Sequence, residues 1–487
     1  MTHASWEQEW ESGGLGSGVT LREAFYWVGP ALVLLIEAGA CFSFGYGYED
    51  MLRAWGWIAC GLLGVWGVAF WASGRFSLRP YTALRVLLAI GVGTLLWSGA
   101  TLIPLPVDFV ERVSPFWREA LAAMRQAGYP VPDRVPLAIT PEAAWRGWNQ
   151  MAASLLYFIG ACVVASRQRG FVILAVLVAG GAVVEAWIGA VVYVLGSTDR
   201  AFGIAYNSNH HAALVMLGLP IAAWWVATRQ KYNRYGYMES QRRDLMLFLG
   251  GVVAVAFIGW MLALSRGSLL AVALVGLADV AMRLPIGRKR EQGTQKRKSD
   301  GGGLLGVNVW VMGLIAASGI TLLLFSSALE GFAARLPETE DLGGRAAYWL
   351  ATLKGLAQVP LLGLGLGGAE ASINRFLLGR PTSVLAVWSH NDYVQVVSEL
   401  GLVWTAAVLG ALVWFLRCFK REWDSGSAIL GRRMRGFRRA ALAGMAITLV
   451  HAFFDFHLRL PIVGFHFLLV GALLLTGTKA IGSRGQT

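Results

Sequence analysis

Three arginines and one histidine are the residues of this sequence best suited to chemistry. Arg200 in STDRAFG, Arg266 in ALSRGS, Arg345 in GGRAAYW and His390 in WSHNDYVQ all stand beside apolar runs. A guanidinium binds phosphate oxygens through a planar pair of N–H donors, and an imidazole accepts a proton near neutral pH. For any one arginine, contact with lipid headgroups is an equally good interpretation. Three such arginines favour a site that holds a phosphate-bearing anion.

Other ionisable side chains lie in or beside apolar runs, where a charge costs at least about 2.5–3.5 kcal/mol on insertion scales. They are Glu37, Glu185, Asp279, Glu399, His451, Asp455, Arg459 and His466. Asp455 and Arg459 are four residues apart, so we expect them to pair as a structural clamp, or else to shape a cavity. Glu185 and Asp279 are expected to be neutral or bonded between helices, and the two histidines to be packing residues.

Two motif matches are rejected because of their surroundings. The sequence GLGLGG at 363–368 fits G-x-G-x-x-G, but no strand–helix–strand unit surrounds it. We expect instead a turn that lets the backbone approach a helix or a ligand. The adjacent His210 and His211 could suggest a metal site, but they would point about 100° apart on a helix and have no carboxylate nearby in sequence. The spacing of the cysteines suits neither a disulfide framework nor a zinc site. No metal or cofactor is predicted.

Composition shows which elements must position these residues. The chain has 487 residues, of which 56% are hydrophobic and 15% charged, against roughly 45–50% and 25% in soluble domains. Runs of about 20 apolar residues predict an all-α polytopic membrane protein with about twelve transmembrane helices. The predicted spans are 26–46, 54–72, 83–103, 151–166, 171–195, 212–228, 245–264, 268–282, 304–327, 394–416, 440–456 and 461–478.

The distribution of basic residues predicts the orientation. Lysine and arginine concentrate in three short loops, 228–244, 283–300 and 417–439, which the positive-inside rule places in the cytoplasm together with tails 1–22 and 479–487. Contact with anionic membrane lipids explains this charge better than nucleic-acid binding, for which the sequence offers no motif. The arginines and His390 then lie at the outer ends of spans.

Two long loops are predicted on the outer side. Loop 104–150 contains the amphipathic segment FWREALAAMRQAG, expected to be a short helix on the membrane surface. Loop 328–393, before the tenth helix, contains RAAYWLATLKGLAQV with Lys354, followed by the glycine-rich stretch and WSHNDYVQ with Asn391 and Asp392. A loop of this length in a compact protein is usually functional.

These residues resemble those of bacterial O-antigen ligases and related glycan polymerases. HNDYVQVVSELG matches an H-N-x9-G pattern at the outer start of a late transmembrane helix. DRAFGIAYNSNHHAALVMLGLP, LALSRGSLLAV, GGRAAYWLATLKGLAQVPLLGLGLGG and HAFFDFHLRLP add to the similarity over about 195–475. One departure is Trp404, where a small residue, Thr or Tyr is expected.

The resemblance implies a C-type glycosyltransferase-like fold in the bacterial inner membrane, with N-terminal helices in 23–190 and a catalytic region in 191–478. It implies an inverting, metal-independent transfer of glycan from an undecaprenyl-diphosphate carrier to a glycan or lipid A core acceptor, at a site facing the periplasm. His390 would be the general base, and Arg200, Arg266 and Arg345 would hold the diphosphate. Asn391, Asp392, Lys354, Asp455 and Arg459 would bind substrate or support the structure.

The sequence leaves alternatives open. Ligase and polymerase activity in lipopolysaccharide and polysaccharide biosynthesis are not separated. A polysaccharide transporter or flippase should have two similar halves with broken helices at mid-membrane, and no such internal repeat is present. A structural scaffold would not need arginines and a histidine at the outer span ends.

Overall fold

A computed structural model describes residues 21–42, 49–196, 200–205, 207–228, 240–283, 339–377, 388–429 and 432–477. Within these ranges the chain is almost entirely helical. The helices are α1 (Leu21–Phe42), α2 (Glu49–Ala72), α3 (Thr82–Ala100), α4 (Val107–Val113), α5 (Pro115–Gln126), α6 (Pro141–Ala165), α7 (Gln168–Val194), α8 (Ser208–Thr228), α9 (Ser240–Met261), α10 (Arg266–Arg283), α11 (Thr339–Gln358), α12 (Gly368–Phe376), α13 (Asp392–Ile429), α14 (Arg432–His451) and α15 (Pro461–Ala472).

The helices overlap the predicted spans wherever the structure describes the chain. Each predicted span except 304–327 overlaps a helix, and 304–327 lies outside the described residues, as do 284–300 and both tails beyond 21–477. Six of the described helices are long and apolar enough to cross a membrane by length and composition. They are Thr82–Ala100, Pro141–Ala165, Gln168–Val194, Ser208–Thr228, Asp244–Met261 and Asp392–Ser425. The chain is therefore a multi-pass helical membrane protein.

Glycines let the central helices approach to backbone contact. Helix α8 is the most enclosed of the six candidate spans, with 67% of its apolar window buried. A Cβ on Gly444 of α14 would lie 2.6 Å from the Leu217 carbonyl oxygen of α8. A Cβ on Gly218 of α8 would overlap the Val178 carbonyl of α7 in the same way. Small residues are common where membrane helices associate, because apolar side chains gain little by leaving lipid.

The segment between α3 and α6 is more ordered than a loop. Strands β1 (Leu105–Pro106) and β2 (Arg134–Val135) pair antiparallel around α4 and α5. Helix α5 confirms the helix predicted for FWREALAAMRQAG, and its Ser114 cap accepts a hydrogen bond from the Trp117 amide at 3.3 Å. The predicted start of the fourth span at 151 is wrong, because α6 begins at Pro141. A proline suits the first turn of a helix, where its missing N–H leaves no bond unmade.

The glycine-rich turn at 363–368 lies against a break in α13. Gly401 has φ 74° and ψ 167°, so the helix is interrupted there. Backbone groups of the turn replace the lost helical bonds: the Leu364 and Gly365 amides donate to the Ser398 and Glu399 carbonyls at 2.9 and 3.0 Å. The Leu402 amide donates in return to the Pro360 carbonyl at 2.8 Å. The prediction that this turn approaches a helix is thereby confirmed.

Trp404, the departure from the family pattern, packs on α3. Its indole nitrogen donates to the Thr94 hydroxyl at 3.1 Å, and its ring stacks on Trp97 with centroids 5.6 Å apart. Gly93 leaves room for the indole, since a Cβ there would lie 2.9 Å from the Trp404 ring. The larger residue is accommodated by a smaller one opposite.

Candidate functional site

Several helix ends and their connections meet at one end of the bundle. Helices α7, α9 and α14 finish there, and α8, α10, α13 and α15 begin there. His210 lies in the first turn of α8, His390 just before α13, and Asp455 in the connection between α14 and α15. These three side chains and Phe456 form what we call the Asp455 cluster.

His390 is the accessible member of the cluster. Its Nδ1 lies 3.6 Å from Asp455 Oδ1, and its side chain is 34% exposed, whereas that of Asp455 is 2% exposed. The imidazole stacks on Tyr348 with centroids 5.8 Å apart and meets Phe456 edge-on at 4.9 Å. With Nδ1 directed at the carboxylate, Nε2 is the ring nitrogen that can accept a proton from a bound group.

His390 has a backbone conformation that is unusual for a residue with a side chain. Its φ of 52° is in the left-handed region, which costs about 1–3 kcal/mol and persists where the surroundings over-determine it. On one side, the Ser389 amide and hydroxyl both donate to Gln395 Oε1 at 3.2 Å. On the other, Asn391 Oδ1 accepts the Tyr393 and Val394 amides at 3.0 Å and so caps α13. The two flanking residues hold His390 in place.

Asp455 is a buried carboxylate in the connection between two helices. Burial alone raises its pKa, but the interaction with the nearby imidazoles of His210 and His390 outweighs this effect and holds the pKa well below the usual range. Its Oδ1 also accepts the Phe456 amide at 2.9 Å. Asp455 is therefore an anion that faces two imidazoles.

The arginines are attached to the backbone around this cluster. Arg345, on α11, donates from Nη1 to the carbonyl oxygen of Phe454, next to Asp455, at 2.9 Å. Arg200 donates from Nε to the Ala263 carbonyl at 2.9 Å and from Nη2 to Asn209 Oδ1 at 3.2 Å. It thereby joins the turn before α10 to the start of α8.

Arg266 begins α10, and its neighbours Ser265 and Gly267 lie against His451 at the end of α14. Ser265 Oγ lies 3.4 Å from His451 Nε2, and a Cβ on Gly267 would lie 2.9 Å from the same ring. The His451 and His457 rings have centroids 4.6 Å apart. Burial lowers the pKa of His457 to about 4, so its imidazole is neutral. The structure thus brings Arg200, Arg266, Arg345 and His390 to one end of the bundle.

The expected pairing of Asp455 with Arg459 is wrong. Arg459 Nη1 lies 3.0 Å from Glu399 Oε2, and its Nε lies 3.4 Å from Asp392 Oδ1. The segment after α14 turns through a 3-10 helix at His457–Arg459, so these two residues do not share one helix face. Arg459 still acts as a clamp, but it joins α13 to the connection before α15.

Asn391, Asp392 and Lys354, which were predicted to bind substrate or support the structure, lie outside the Asp455 cluster. Asp392 accepts the Leu458 amide at 3.2 Å, and its own amide donates to the Ala452 carbonyl at 3.0 Å. Apart from its contact with Arg459, its contacts, like the cap made by Asn391, are with the protein's own backbone. Lys354 is exposed on α11 and makes no hydrogen bond or ion pair with the Asp455 cluster within the described ranges.

The structure adds residues that sequence reasoning did not select. His210 Nε2 lies 3.7 Å from Asp455 Oδ1, while His211 Nδ1 lies 2.9 Å from Glu185 Oε1 on α7. Glu185 is therefore bonded between helices, one of the two outcomes expected for it. The 100° divergence of adjacent helical residues was the available signal, because it required the two histidines to have different partners. In the described part of the chain, no three His, Cys, Asp or Glu side chains converge as metal ligands.

A known family model matches the part of the chain that contains His390. Residues 251–409 match the family model described as O-antigen ligase. The matched segment contains Arg266, Arg345, His390 and Gly401 and ends before Asp455. No curated protein matches the chain. The resemblance to the O-antigen ligase-related superfamily is thus confirmed, and it supports an enzyme of the ligase or polymerase type.

Proposed function

We propose, from the O-antigen ligase match and the geometry of the Asp455 cluster, that the protein is an inverting, metal-independent glycosyltransferase. It takes glycan from an undecaprenyl-diphosphate carrier and transfers it to a hydroxyl of a glycan or lipid A core acceptor. The site faces the periplasm from the inner membrane, and membrane lipids surround it. Residues 191–478 carry the chemistry, and the helices in 23–190 support them.

The observation that carries this proposal is the approach of His390 Nδ1 to Asp455, a buried carboxylate 3.6 Å away. Sugar hydroxyls are poor nucleophiles, so transfer needs a base that removes the proton as the new bond forms. A carboxylate behind an imidazole selects the tautomer with the proton on Nδ1 and stabilises the imidazolium that results. His390 combines this support with an exposed ring.

The reaction consumes one hydroxyl and releases one diphosphate. The acceptor oxygen attacks the anomeric carbon from the side opposite the phosphate, while His390 Nε2 takes the hydroxyl proton. The bond between the anomeric carbon and the phosphate oxygen breaks, and its electron pair leaves with the diphosphate. Attack opposite the leaving group inverts the anomeric centre. The proton then passes from His390 to water.

The arginines stabilise the charge of the leaving diphosphate. A diphosphate needs charge compensation rather than protonation, and pre-positioned cations supply it without reorganisation. Arg200, Arg266 and Arg345 are half-buried. Hydrogen bonds to carbonyl oxygens fix the orientation of the guanidinium groups of Arg200 and Arg345. Asn391, Asp392 and Arg459 keep the start of α13 in register with the connection before α15.

The test is transfer by the purified protein in lipid vesicles. A lipid-linked repeat unit is supplied with and without lipid A core, and the products are separated on a gel. A ladder formed without core identifies a polymerase, and a shift that requires core identifies a ligase. The absence of both products would contradict the proposal. Movement of intact lipid-linked glycan across the vesicle membrane would instead identify a flippase.

A further inference from the structure

One buried carboxylate faces two histidines from different elements. His210 Nε2, at the start of α8, lies 3.7 Å from Asp455 Oδ1. His390 Nδ1, before α13, lies 3.6 Å from the same oxygen. Neither nitrogen has a hydrogen-bond partner elsewhere in the described ranges, and both are buried. Asp455 is thus the common partner of both rings.

We propose that His210 is a positioning residue that acts through Asp455: it holds the carboxylate in the direction that orients His390. This inference rests on the proposed function and assigns a role to a residue that the proposed reaction does not otherwise use.

Burial separates the roles of the two histidines. The side chain of His210 is 7% exposed, against 34% for His390. The Phe456 ring is met edge-on by both imidazoles, with centroids 5.0 Å from His210 and 4.9 Å from His390. His210 therefore lies behind Phe456 and the carboxylate, where a substrate hydroxyl does not reach it. His390 is the histidine that can touch substrate.

The carboxylate needs a second support because its own segment is irregular. Asp455 lies between the end of α14 and the 3-10 turn at His457–Arg459. Within that segment Oδ1 accepts only the neighbouring Phe456 amide, at 2.9 Å. A donor from α8 attaches the carboxylate to the most enclosed helix of the bundle. The distances of 3.6 and 3.7 Å exceed a hydrogen bond, and such contacts commonly shorten when substrate binds.

The position of His210 is fixed by the contacts of the adjacent residue, His211. His211 Nδ1 contacts Glu185 Oε1 at 2.9 Å, and Glu185 also accepts the Ile204 and Ala205 amides at 2.9 and 3.2 Å. These bonds secure a 3-10 turn at Gly203–Ala205, just before α8, and Gly203 leaves room for the Glu185 carboxylate. The first turn of α8 is therefore rigid enough for His210 to position a partner.

The experiment compares three substitutions of His210 in the purified protein, with kcat and donor KM measured separately. His210→Leu keeps the approximate volume without a donor, and His210→Asn has an amide too short to reach Asp455. His210→Gln supplies an N–H donor at the original reach. We expect Leu and Asn to lower kcat about 10–100-fold, by analogy with residues that orient metal-ligating side chains, with donor KM unchanged. Gln should retain most of kcat, and His466→Gln, a histidine away from the site, is the control.

A double substitution distinguishes positioning from direct contact with the diphosphate. If His210 acts through Asp455, adding His210→Leu to Asp455→Ala should cause no further loss. Three results would each overturn the inference: a loss of kcat in the double variant equal to the product of the two single losses, equal losses of kcat in His210→Gln and His210→Leu, or wild-type kcat in His210→Leu. If Leu does not fold, the Asn and Gln pair makes the same comparison. A wild-type protein without transfer activity would refute the proposed function itself, whereas an active wild type with unaffected variants would refute only the role of His210.

Discussion

Gly363 and Gly401 meet backbone to backbone where the glycine-rich turn supports the break in α13. A Cβ on Gly401 would lie 2.5 Å from the Gly363 amide nitrogen, and a Cβ on Gly363 would overlap the Gly401 nitrogen. Both residues have positive φ, 79° and 74°. The break interrupts the helix that begins directly after His390, so this contact supports the segment that follows the histidine.

We predict that Gly401→Ala destabilises the protein and lowers transfer. Its φ of 74° and ψ of 167° lie in a region that is almost restricted to glycine, where a residue with a Cβ costs about 1–3 kcal/mol, and the overlap with Gly363 adds to this cost. Gly410→Ala on the same helix is the matched control, because no atom lies within 4 Å of a Cβ there. Thermal unfolding in detergent should show a lower midpoint for Gly401→Ala and an equal or higher one for Gly410→Ala. Equal midpoints would contradict the structural account of the break.

His390→Ala should abolish transfer while donor binding is retained, since the proposed mechanism assigns the diphosphate to the arginines. Loss of a general base typically costs about 10²–10⁴-fold in rate. The wild-type rate should fall on acidification, because a protonated imidazole cannot accept a proton. Turnover and donor affinity are measured for His390→Ala and His390→Gln together. Near-wild-type turnover in the Gln variant would remove His390 from catalysis.

Arg266→Lys and Arg345→Lys should lose much of the activity although the charge is kept. An ammonium cannot reproduce the planar pair of N–H donors that fits a phosphate. Arg146→Lys is the matched control, because Arg146 is 55% exposed and its partner Glu142 is 87% exposed. Initial transfer rates at saturating donor decide the matter. Equal tolerance at all three positions would favour plain contact with lipid headgroups.

The orientation can be tested by cysteine labelling in spheroplasts. Tyr129 is exposed in the segment between α3 and α6, and the Lys420 side chain, near the far end of α13, is 78% exposed. An impermeant thiol reagent should label Tyr129→Cys but not Lys420→Cys. Among the described cysteines, Cys60, Cys162 and Cys418 are buried and should add little background. The reverse labelling would place the site in the cytoplasm and refute the periplasmic proposal.

A second buried cluster should contribute stability rather than catalysis. His466 Nδ1 lies 2.6 Å from Glu37 Oε2, and Tyr157 donates its hydroxyl to the same carboxylate. Removing one partner of a buried pair typically costs about 3–5 kcal/mol. His466→Ala should therefore lower the unfolding midpoint while transfer per folded molecule is unchanged. Glu142→Gln, in an exposed pair with Arg146, should cost no more than about 1 kcal/mol.

Local properties of the sequence were sufficient to predict the helices and to select the candidate side chains. Runs of about 20 apolar residues require a helix wherever they cross lipid, because every backbone polar group must be bonded within the segment. Arg200, Arg266, Arg345 and His390 were selected by residue type and by their position beside such runs. These inferences need no knowledge of which helices are neighbours.

The tertiary structure decided which side chains meet. Asp455 was paired with Arg459 by spacing alone, yet the 3-10 turn directs Arg459 to Glu399 and leaves Asp455 between His210 and His390. Periodicity describes which face a residue occupies on its own helix, whereas partners across tens or hundreds of residues depend on how helices pack. The glycine contacts that let α7, α8 and α14 approach, and the break at Gly401, set that packing. For this reason the Asp455 cluster could be recognised only in three dimensions.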